Sequence, residues 1–154
     1  MKNESKTVDL TNARKKKQVK IMKEIIAQGC CPFCKEHLFK FHEKPIIKEG
    51  KFWLLTENQW PYNNAKVQFL FISKKHIENI SEIEPEASAE LIRLASWAIR
   101  KYGIKGGAIC MRFGNTKYSG ATVKHLHAQL IEPDLNRPSY KPIRFFIGSK
   151  TEKS

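Results

Sequence analysis

The residues best suited to chemistry lie near the end of the chain, where two histidines and a glutamine recur at every second position. His125, His127 and Gln129 fall within the segment 120–131, in which polar and apolar residues alternate. An alternation of period two predicts a half-buried β-strand, on which the three side chains share one face about 6.6 Å apart. Two imidazoles and a carboxamide at that spacing can act on one small group. The alternative is that the three side chains lie on a solvent-exposed strand face and have no chemical role.

A pair of cysteines earlier in the chain can bind a metal ion. Cys31 and Cys34 form a C-x-x-C knuckle, whose thiolates can point at one zinc ion. The same spacing occurs in redox pairs, but those follow a strand and precede a long helix, whereas this pair follows a predicted helix and a glycine. Zinc is therefore favoured over redox chemistry. Cys30 is adjacent and is a second candidate ligand, and a structural zinc ion needs two further ligands from elsewhere.

Two turn-rich segments carry side chains suited to a nucleotide. The loop 58–64 combines aromatic side chains, which can stack on a base, with asparagines such as Asn58, which can bind ribose hydroxyls; the alternative is that Trp60 only covers the core. The turn 114–120 presents backbone N–H groups and polar side chains that could hold phosphate oxygens. Its polar residues include Asn115 and Ser119.

The elements that must position these residues indicate an α+β fold. Helices are predicted over 12–28 and 85–102, because apolar residues recur at helical spacing and a glycine follows each segment. Strands are predicted in five segments, namely 52–56, 67–72, 107–113, 120–131 and 143–147. Helices and strands do not alternate regularly, so we expect an antiparallel sheet with helices packed on it.

Length and charge narrow the classes of function. The 154 residues suit one domain, and 28 basic against 15 acidic residues give a net charge of +13. Such a surface attracts polyanions, and the basic first helix is either a solvated face or an arm that touches nucleic acid or phosphate. No apolar run approaches the about 20 residues of a membrane span, and no signal peptide is recognisable. We therefore expect a cytoplasmic protein without a membrane partner and without disulfides.

With these pieces placed, the chain resembles the histidine triad (HIT) superfamily. The segment Ser73-Lys74-Lys75-His76 matches the Pro-Lys-x-His strand end of that superfamily, and later residues match its Asn…Gly-x-Ser-Val-x-His-x-His-x-His/Gln signature. The later residues are Asn115, Gly120, Thr122, Val123, His125, His127 and Gln129. Cys31 and Cys34 match the knuckle of the zinc-binding members. The resemblance runs from about Gly29 to Ile131 and is specific in its order and spacing.

The resemblance implies a fold and a role for each candidate residue. The fold would be an HIT-like antiparallel sheet with packed helices and a zinc knuckle. His127 would attack an α-phosphate and form a nucleotidyl-imidazole intermediate, which splits a hard displacement into two easier steps, and Gln129 would donate to the charged phosphate. A structural Zn²⁺ would be bound by Cys31, Cys34, His76 and His125, and would fix His127 in place. From the two turn-rich segments we also expect the substrate to contact Asn58, Asn115, Ser119, Gly120 and Thr122.

Gln129, at a position where hydrolase members usually carry histidine, resembles a transferase branch. That branch contains galactose-1-phosphate uridylyltransferase and diadenosine tetraphosphate phosphorylase, but the chain is much shorter than a full uridylyltransferase. Glutamine can hydrogen-bond but cannot take part in proton transfer. Ala121 and Thr122 also depart from the common Gln-Ser pair, and alanine removes an amide that contacts phosphate. The leaving group is therefore not fixed by the motif.

We expect an enzyme that cleaves a nucleoside phosphoanhydride or phosphoramidate, with a dinucleoside polyphosphate-like substrate and either phosphate or water as acceptor. Two further classes stay open: an enzyme that processes adenylylated nucleic-acid ends, which the charge and the basic helix motivate, and a zinc-stabilised nucleotide-binding module without catalysis. HIT proteins commonly form homodimers. The predicted parts are a basic N-terminal helical extension at 1–28, with residues 1 to about 10 loose, an HIT-like domain at 29–148 and a disordered tail at 149–154.

Overall fold

The computed structural model describes residues 7–149 as four α-helices and five β-strands. In chain order these are α1 (Lys16–Gln28), α2 (Lys35–Phe41), β1 (Ile46–Glu49), β2 (Trp53–Glu57), β3 (Ala65–Ser73), α3 (Pro85–Tyr102), β4 (Ala108–Arg112), α4 (Thr116–Ser119) and β5 (His127–Pro133). Single 3₁₀ turns precede α1 and α3. Among the described residues, no helix combines the length and the apolar character that crossing a membrane requires.

The five strands form one antiparallel sheet in the order β1-β2-β3-β5-β4. The predicted α+β class with an antiparallel sheet is therefore confirmed. Strand β5 lies between β3 and β4, and its first residue, His127, pairs with Ile72 on one side and Arg112 on the other. Directly opposed residues of antiparallel strands point to the same face, so these three side chains share one face of the sheet.

Helices cover both faces of the sheet. On one face, α3 contributes Leu91 and Leu94 to the main core, which also contains Ala128 and Leu130 of β5. On the other face, α1 and α2 pack through two smaller apolar clusters, and His127 and Gln129 of β5 point there. The alternation read from the sequence holds from His127 to Leu130, where Ala128 and Leu130 enter the α3 core and the two polar side chains face the opposite side.

The helix predicted over 85–102 is confirmed, with Pro85 in the first turn and Gly103 in the left-handed conformation after its end. The first helix begins at Lys16 and not at residue 12, because Asp9 accepts a hydrogen bond from the Thr11 N–H and caps a separate 3₁₀ turn. Helix α2 and strand β1 were not predicted.

Two strand predictions need correction. Residues 120–126 are not part of β5, because the chain turns at Gly120 and then makes only an isolated bridge from Val123 to Val8. Residues 143–147 are not a strand, since the Phe146 carbonyl accepts from the guanidinium of Arg112 and not from a strand partner.

The N-terminal residues 7–10, predicted to be loose, pack onto the domain. Val8 has no exposed side-chain surface and joins an apolar cluster with Met22 and Phe41. At the other end, Ser149 is held by hydrogen bonds from its N–H and hydroxyl to the turn of α4. The rest of the predicted loose terminus (residues 1–6) and of the predicted tail (150–154) lies outside the described residues.

A buried histidine makes the stability of this fold depend on pH. His42 is 5% exposed, and its Nε2 lies 2.8 Å from the Thr56 hydroxyl, which donates its own hydrogen to the Pro45 carbonyl. Nε2 of the neutral ring must therefore be the donor to Thr56. Burial lowers the pKa of His42 below its ordinary value of 6.5, and the charge of Lys44 lowers it further. The folded state thus favours the neutral ring.

We expect the free energy of unfolding to fall as the pH drops from about 6.5 toward the lowered pKa of His42, because the unfolded chain takes up the proton first. A His42→Gln variant keeps an N–H donor but cannot titrate, so it should lose less stability over this range than the wild type does. Chemical denaturation at pH 7.5 and pH 5.5 measures the difference. Equal losses in both proteins would assign the pH dependence to other groups.

Candidate active site and metal centre

A cavity of about 570 Å³ lies on the face of the sheet that α1 and α2 cover. A volume of this size suits a nucleotide-sized ligand. Its floor contains His127, Gln129 and Arg112, and its apolar wall comes from α1, Phe41 and Leu70. The remaining walls are formed by the predicted loop at 58–62, by residues 120–123 and by the C-terminal residues 146–149. All of these segments surround the first residues of β5.

His127 is oriented by the backbone of its own strand. Its Nδ1 lies 2.8 Å from the carbonyl oxygen of His125, and a carbonyl can only accept, so Nδ1 carries the hydrogen of the neutral ring. The unprotonated Nε2 is then the nucleophilic atom of a side chain that lines the cavity. The Phe33 ring packs against the imidazole edge-to-face at 5.1 Å between centroids. Burial lowers the pKa of His127, and the charge of Arg112 lowers it further. The hydrogen bond to the His125 carbonyl raises this pKa, but by less than burial lowers it.

Gln129 is oriented by a chain of hydrogen bonds with a fixed direction. The Tyr62 N–H donates to Gln68 Oε1 over 2.6 Å, which leaves Gln68 Nε2 to donate to Gln129 Oε1 over 2.5 Å. The amide nitrogen of Gln129 is therefore the group left to donate toward the cavity. Gln68 was not among the predicted site residues. The signal that could have found it is a glutamine, 5% exposed here, between two apolar residues of a strand.

Two arginines that were not predicted as site residues line the cavity. Arg112, at the end of β4, donates to the Phe146 carbonyl at 2.7 Å and to the Tyr62 hydroxyl at 3.2 Å. Arg14 donates to the Trp60 carbonyl at 3.0 Å, and its guanidinium lies 3.9 Å above the centre of the Tyr62 ring. Burial lowers the pKa of Arg14, and the charge of Arg112 contributes. Two cations held together in this way favour an anionic ligand.

Four side chains from three separate segments converge on a point next to the cavity. The Nδ1 atom of His125 lies 3.4 Å from Cys31 Sγ and 3.7 Å from Cys34 Sγ, and Nδ1 of His76 lies 3.2 Å from Cys34 Sγ. All four ligand atoms lie within 4.8 Å of one another. Zinc bonds of about 2.0–2.3 Å give tetrahedral edges of roughly 3.3–3.8 Å. The three distances above are close to these edges, and the four residues could hold one ion. Cys30 is not part of the cluster.

The protonation states of the cluster also suit a metal. His125 Nε2 lies 2.6 Å from the Ser73 carbonyl and must donate to it, which leaves Nδ1 free to bind an ion. Burial lowers the pKa of His125 to about 4, so the ring is neutral. Burial also raises the pKa of the Cys31 thiol to about 12. A thiol of this kind becomes a thiolate only when a bound cation compensates its charge.

The structure brings most of the predicted substrate-binding residues to the cavity. Asn58, Gly120 and Thr122 line it, whereas Asn115 and Ser119 do not. Asn115 Oδ1 accepts from the Lys117 N–H and caps α4, and the buried Ser119 hydroxyl accepts from the Ala121 N–H. These two side chains shape the turn that carries Gly120 and Thr122, and their direct contact with substrate stays a prediction.

Gly120 is required by its backbone and by its neighbours. Its φ is +70°, in the left-handed region, and a Cβ at this position would lie 2.9 Å from the Gly148 carbonyl oxygen. A larger residue would therefore push the C-terminal segment away from the cavity.

Comparisons with known proteins agree with this arrangement. A model of the HIT domain matches residues 46–134, which is more than half of the chain. A solved structure described as "Hit Like Protein" is 30% identical, with a TM-score of 0.50, over 60% of this chain and 91% of that chain. A HIT family hydrolase from Clostridium thermocellum is 29% identical, with a TM-score of 0.53, over 70% of this chain and 94% of its own.

A hypothetical histidine triad nucleotide-binding protein from Sulfolobus tokodaii shares the fold at 22% identity, with a TM-score of 0.54, over 80% of this chain and 82% of its own. None of the curated proteins matches the sequence. The extent of the domain match decides the relationship: the chain belongs to the HIT domain family.

Proposed function

We propose that the protein is a nucleotidyl transferase or hydrolase that cleaves a nucleoside phosphoanhydride or phosphoramidate through a covalent intermediate on His127. The observation that carries this proposal is the hydrogen bond from His127 Nδ1 to the His125 carbonyl, because it leaves Nε2 as the basic atom of a ring that lines the cavity. The Clostridium thermocellum relative is described as a hydrolase, which supports an enzyme. The transferase branch that Gln129 suggested, the homodimer and the cytoplasmic location stay predictions.

The two steps follow from the state of the ring. The Nε2 lone pair of His127 attacks the α-phosphorus, and the bond from phosphorus to the leaving oxygen or nitrogen breaks with its electron pair on the leaving group, which takes a proton from solvent. The imidazole, still protonated at Nδ1, now carries a positive charge next to the His125 carbonyl oxygen. Water or phosphate then attacks the phosphorus, loses a proton, and the neutral imidazole departs.

The other side chains of the cavity hold the phosphate and the nucleoside. Gln129 Nε2 and Arg112 lie on the same face of the sheet as His127 and could donate to phosphoryl oxygens as negative charge builds there. The apolar wall, with Ile21 and Met22 of α1, suits a base, and Asn58 lies at the same cavity for a ribose. A zinc ion bound by the four-residue cluster would be structural and would fix the segment that leads into β5.

A panel of nucleotide substrates, with and without added phosphate and read by product mass, tests the proposal. It should include a nucleoside phosphoramidate, a dinucleoside polyphosphate and a 5′-adenylylated oligonucleotide. Release of a nucleoside monophosphate without phosphate would assign a hydrolase, and release of a nucleoside diphosphate with phosphate would assign a phosphorylase. Tight nucleotide binding without any turnover or adduct on His127 would contradict the proposal and favour the binding module.

The direction of the hydrogen bonds at Gln129 gives a test of its role. Gln68→Glu has nearly the same shape but can only accept when ionised, so Gln129 would have to turn its nitrogen toward residue 68 and its oxygen toward the phosphate. We expect kcat to fall by about tenfold to a hundredfold at pH 8, since one donor to the phosphoryl group is lost, with little change in KM. Steady-state kinetics at pH 8 and pH 5.5 measure the effect.

Protonation of the new carboxyl restores a donor toward Gln129, so the loss should shrink at pH 5.5. The matched variant Gln68→Met removes the donor without adding an acceptor and should show no such recovery relative to the wild type. A pH-independent loss in Gln68→Glu would mean that Gln68 only fills space.

A further inference from the structure

A second, basic groove of about 580 Å³ opens beside the candidate active site. Arg14, Tyr62 and Phe146 line both this groove and the cavity that contains His127, so the two spaces are adjacent. The rest of its lining comes from Lys15, from the loop 61–64 and from residues 141–144, and it contains no aspartate or glutamate. The groove therefore lies next to the candidate active site, and all the charged side chains of its lining are basic.

Among the described residues, the cations of the groove have no carboxylate partner within ion-pair distance. Lys15, Lys141 and Arg144 make none of the ion pairs found within the part of the chain that the structure describes. Lys141 and Arg144 are exposed. Three uncompensated cations, together with Arg14, produce a positive potential that is relieved by a ligand with several negative charges.

The positive charge of the groove comes from the two ends of the chain, whereas the loop 61–64 of the HIT domain contributes uncharged lining residues. Its four basic residues all lie outside the segment 46–134 that matches the HIT domain. We call residues 7–15 the N-terminal arm and residues 141–149 the C-terminal arm. The N-terminal arm is fixed by Arg14, which donates to the Trp60 carbonyl at 3.0 Å, and the C-terminal arm by Arg112, which donates to the Phe146 carbonyl at 2.7 Å. These contacts hold both arms in place around the groove.

We propose that this groove binds the leaving group of the substrate, and that this leaving group is a chain of phosphates. The inference rests on the proposed function, since it names the part of the substrate that departs when the bond to the α-phosphorus breaks. Because Arg14, Tyr62 and Phe146 line both spaces, a chain attached to a phosphorus at His127 would enter the groove beside these three residues. Phosphates could come from a nucleic-acid strand or from a free polyphosphate, and both share this chemistry.

Charge reversal in the groove tests the proposal. The double variant Lys141→Glu/Arg144→Glu should lower kcat/KM at least about tenfold for substrates with a polyanionic leaving group, since it replaces attraction by repulsion. The substrates are diadenosine tetraphosphate, a 5′-adenylylated oligonucleotide and adenosine phosphoramidate, whose leaving group carries no phosphate. The last should be turned over within twofold of the wild-type value. The matched control Arg100→Glu/Lys101→Glu makes the same change in charge on exposed residues of α3, on the opposite face of the sheet, and should leave all three unchanged.

The pattern of losses identifies the source of the phosphate chain and distinguishes failure of the groove proposal from failure of the proposed function. A loss confined to the oligonucleotide assigns a nucleic-acid strand, a loss confined to diadenosine tetraphosphate assigns a free polyphosphate, and a loss on both assigns the shared chemistry. No loss on either, or an equal loss on the phosphoramidate, overturns the groove proposal while turnover through His127 stands.

If the wild type turns over none of the three substrates, the proposed function fails, and a binding measurement tests the groove proposal instead. Fluorescence anisotropy of a labelled 5′-adenylylated oligonucleotide then measures the binding constant at several salt concentrations. The slope of the logarithm of the binding constant against the logarithm of the salt concentration should be smaller in magnitude by about 1.4 in Lys141→Gln/Arg144→Gln, because two phosphate contacts are lost. An unchanged slope would overturn the groove as a phosphate-chain site.

Discussion

We expect the His127→Asn variant to lose nucleotide turnover by about a thousandfold or more, because His127 is the histidine that shares the sheet face of Gln129 and Arg112, whereas His42, which also lines the cavity, follows α2 and is bound to Thr56. Asparagine can still donate to the His125 carbonyl through its side-chain amide, so the local backbone has no reason to move. The measurement is kcat under substrate saturation. The melting temperature and the metal content should equal those of the wild type, which separates loss of the nucleophile from loss of the fold.

The intermediate itself can be trapped. Rapid denaturation of the wild type with a substrate labelled at the α-phosphate should leave one nucleotide bound per chain through a phosphorus–nitrogen bond, which survives alkali and is lost in acid. His127→Asn should leave none. A variant that retains a tenth of the activity, or an adduct that maps to another residue, would remove the proposed mechanism and leave only a nucleotide-sized cavity in an HIT fold.

The sequence identified the residues with local signals. Helix α3 was predicted with both ends correct, because an apolar stripe, Pro85 and Gly103 all lie within one segment. His127 and Gln129 were recognised from their spacing, and the structure places both in the same cavity. The cysteine knuckle was likewise read from two positions three residues apart, and the structure brings it to His76 and His125 as the resemblance implied.

The features that the sequence did not reveal depend on partners far along the chain. Gln68 orients Gln129 from a neighbouring strand and is itself oriented by Tyr62 across a loop. Arg112 ends an apolar strand like any surface residue, and its significance comes from Phe146, 34 residues later. Residues 143–147 are rich in aromatic and β-branched residues, as strands are, but the Phe146 carbonyl accepts from the Arg112 side chain and not from a neighbouring strand. A local pattern cannot specify which distant group will satisfy a donor.

Loss of the metal should have the second large effect, this time on stability. The cluster joins three segments of the chain. Cys34 lies in the α1–α2 connection, His76 lies just after β3, and His125 lies just before β5. In Cys34→Ala we expect the free energy of unfolding to fall by about 3 kcal/mol or more and the melting temperature by roughly 6–12 °C, since the three segments lose their common link. Thermal unfolding and metal analysis by mass spectrometry measure both quantities, and a chelator should bring the wild type to a similar melting temperature.

The chain provides its own controls for this effect. Cys30 is adjacent to the knuckle and Cys110 lies on β4, and neither belongs to the four-residue cluster. Cys30→Ser and Cys110→Ser should therefore retain one zinc ion per chain and the wild-type melting temperature. The redox interpretation would instead be favoured if the protein contained no metal, kept its melting temperature in the presence of the chelator, and formed a disulfide between Cys31 and Cys34. In that case His125 would lose its role as a ligand, and the position of His127 would depend only on its hydrogen bond to the backbone and on the packing of Phe33.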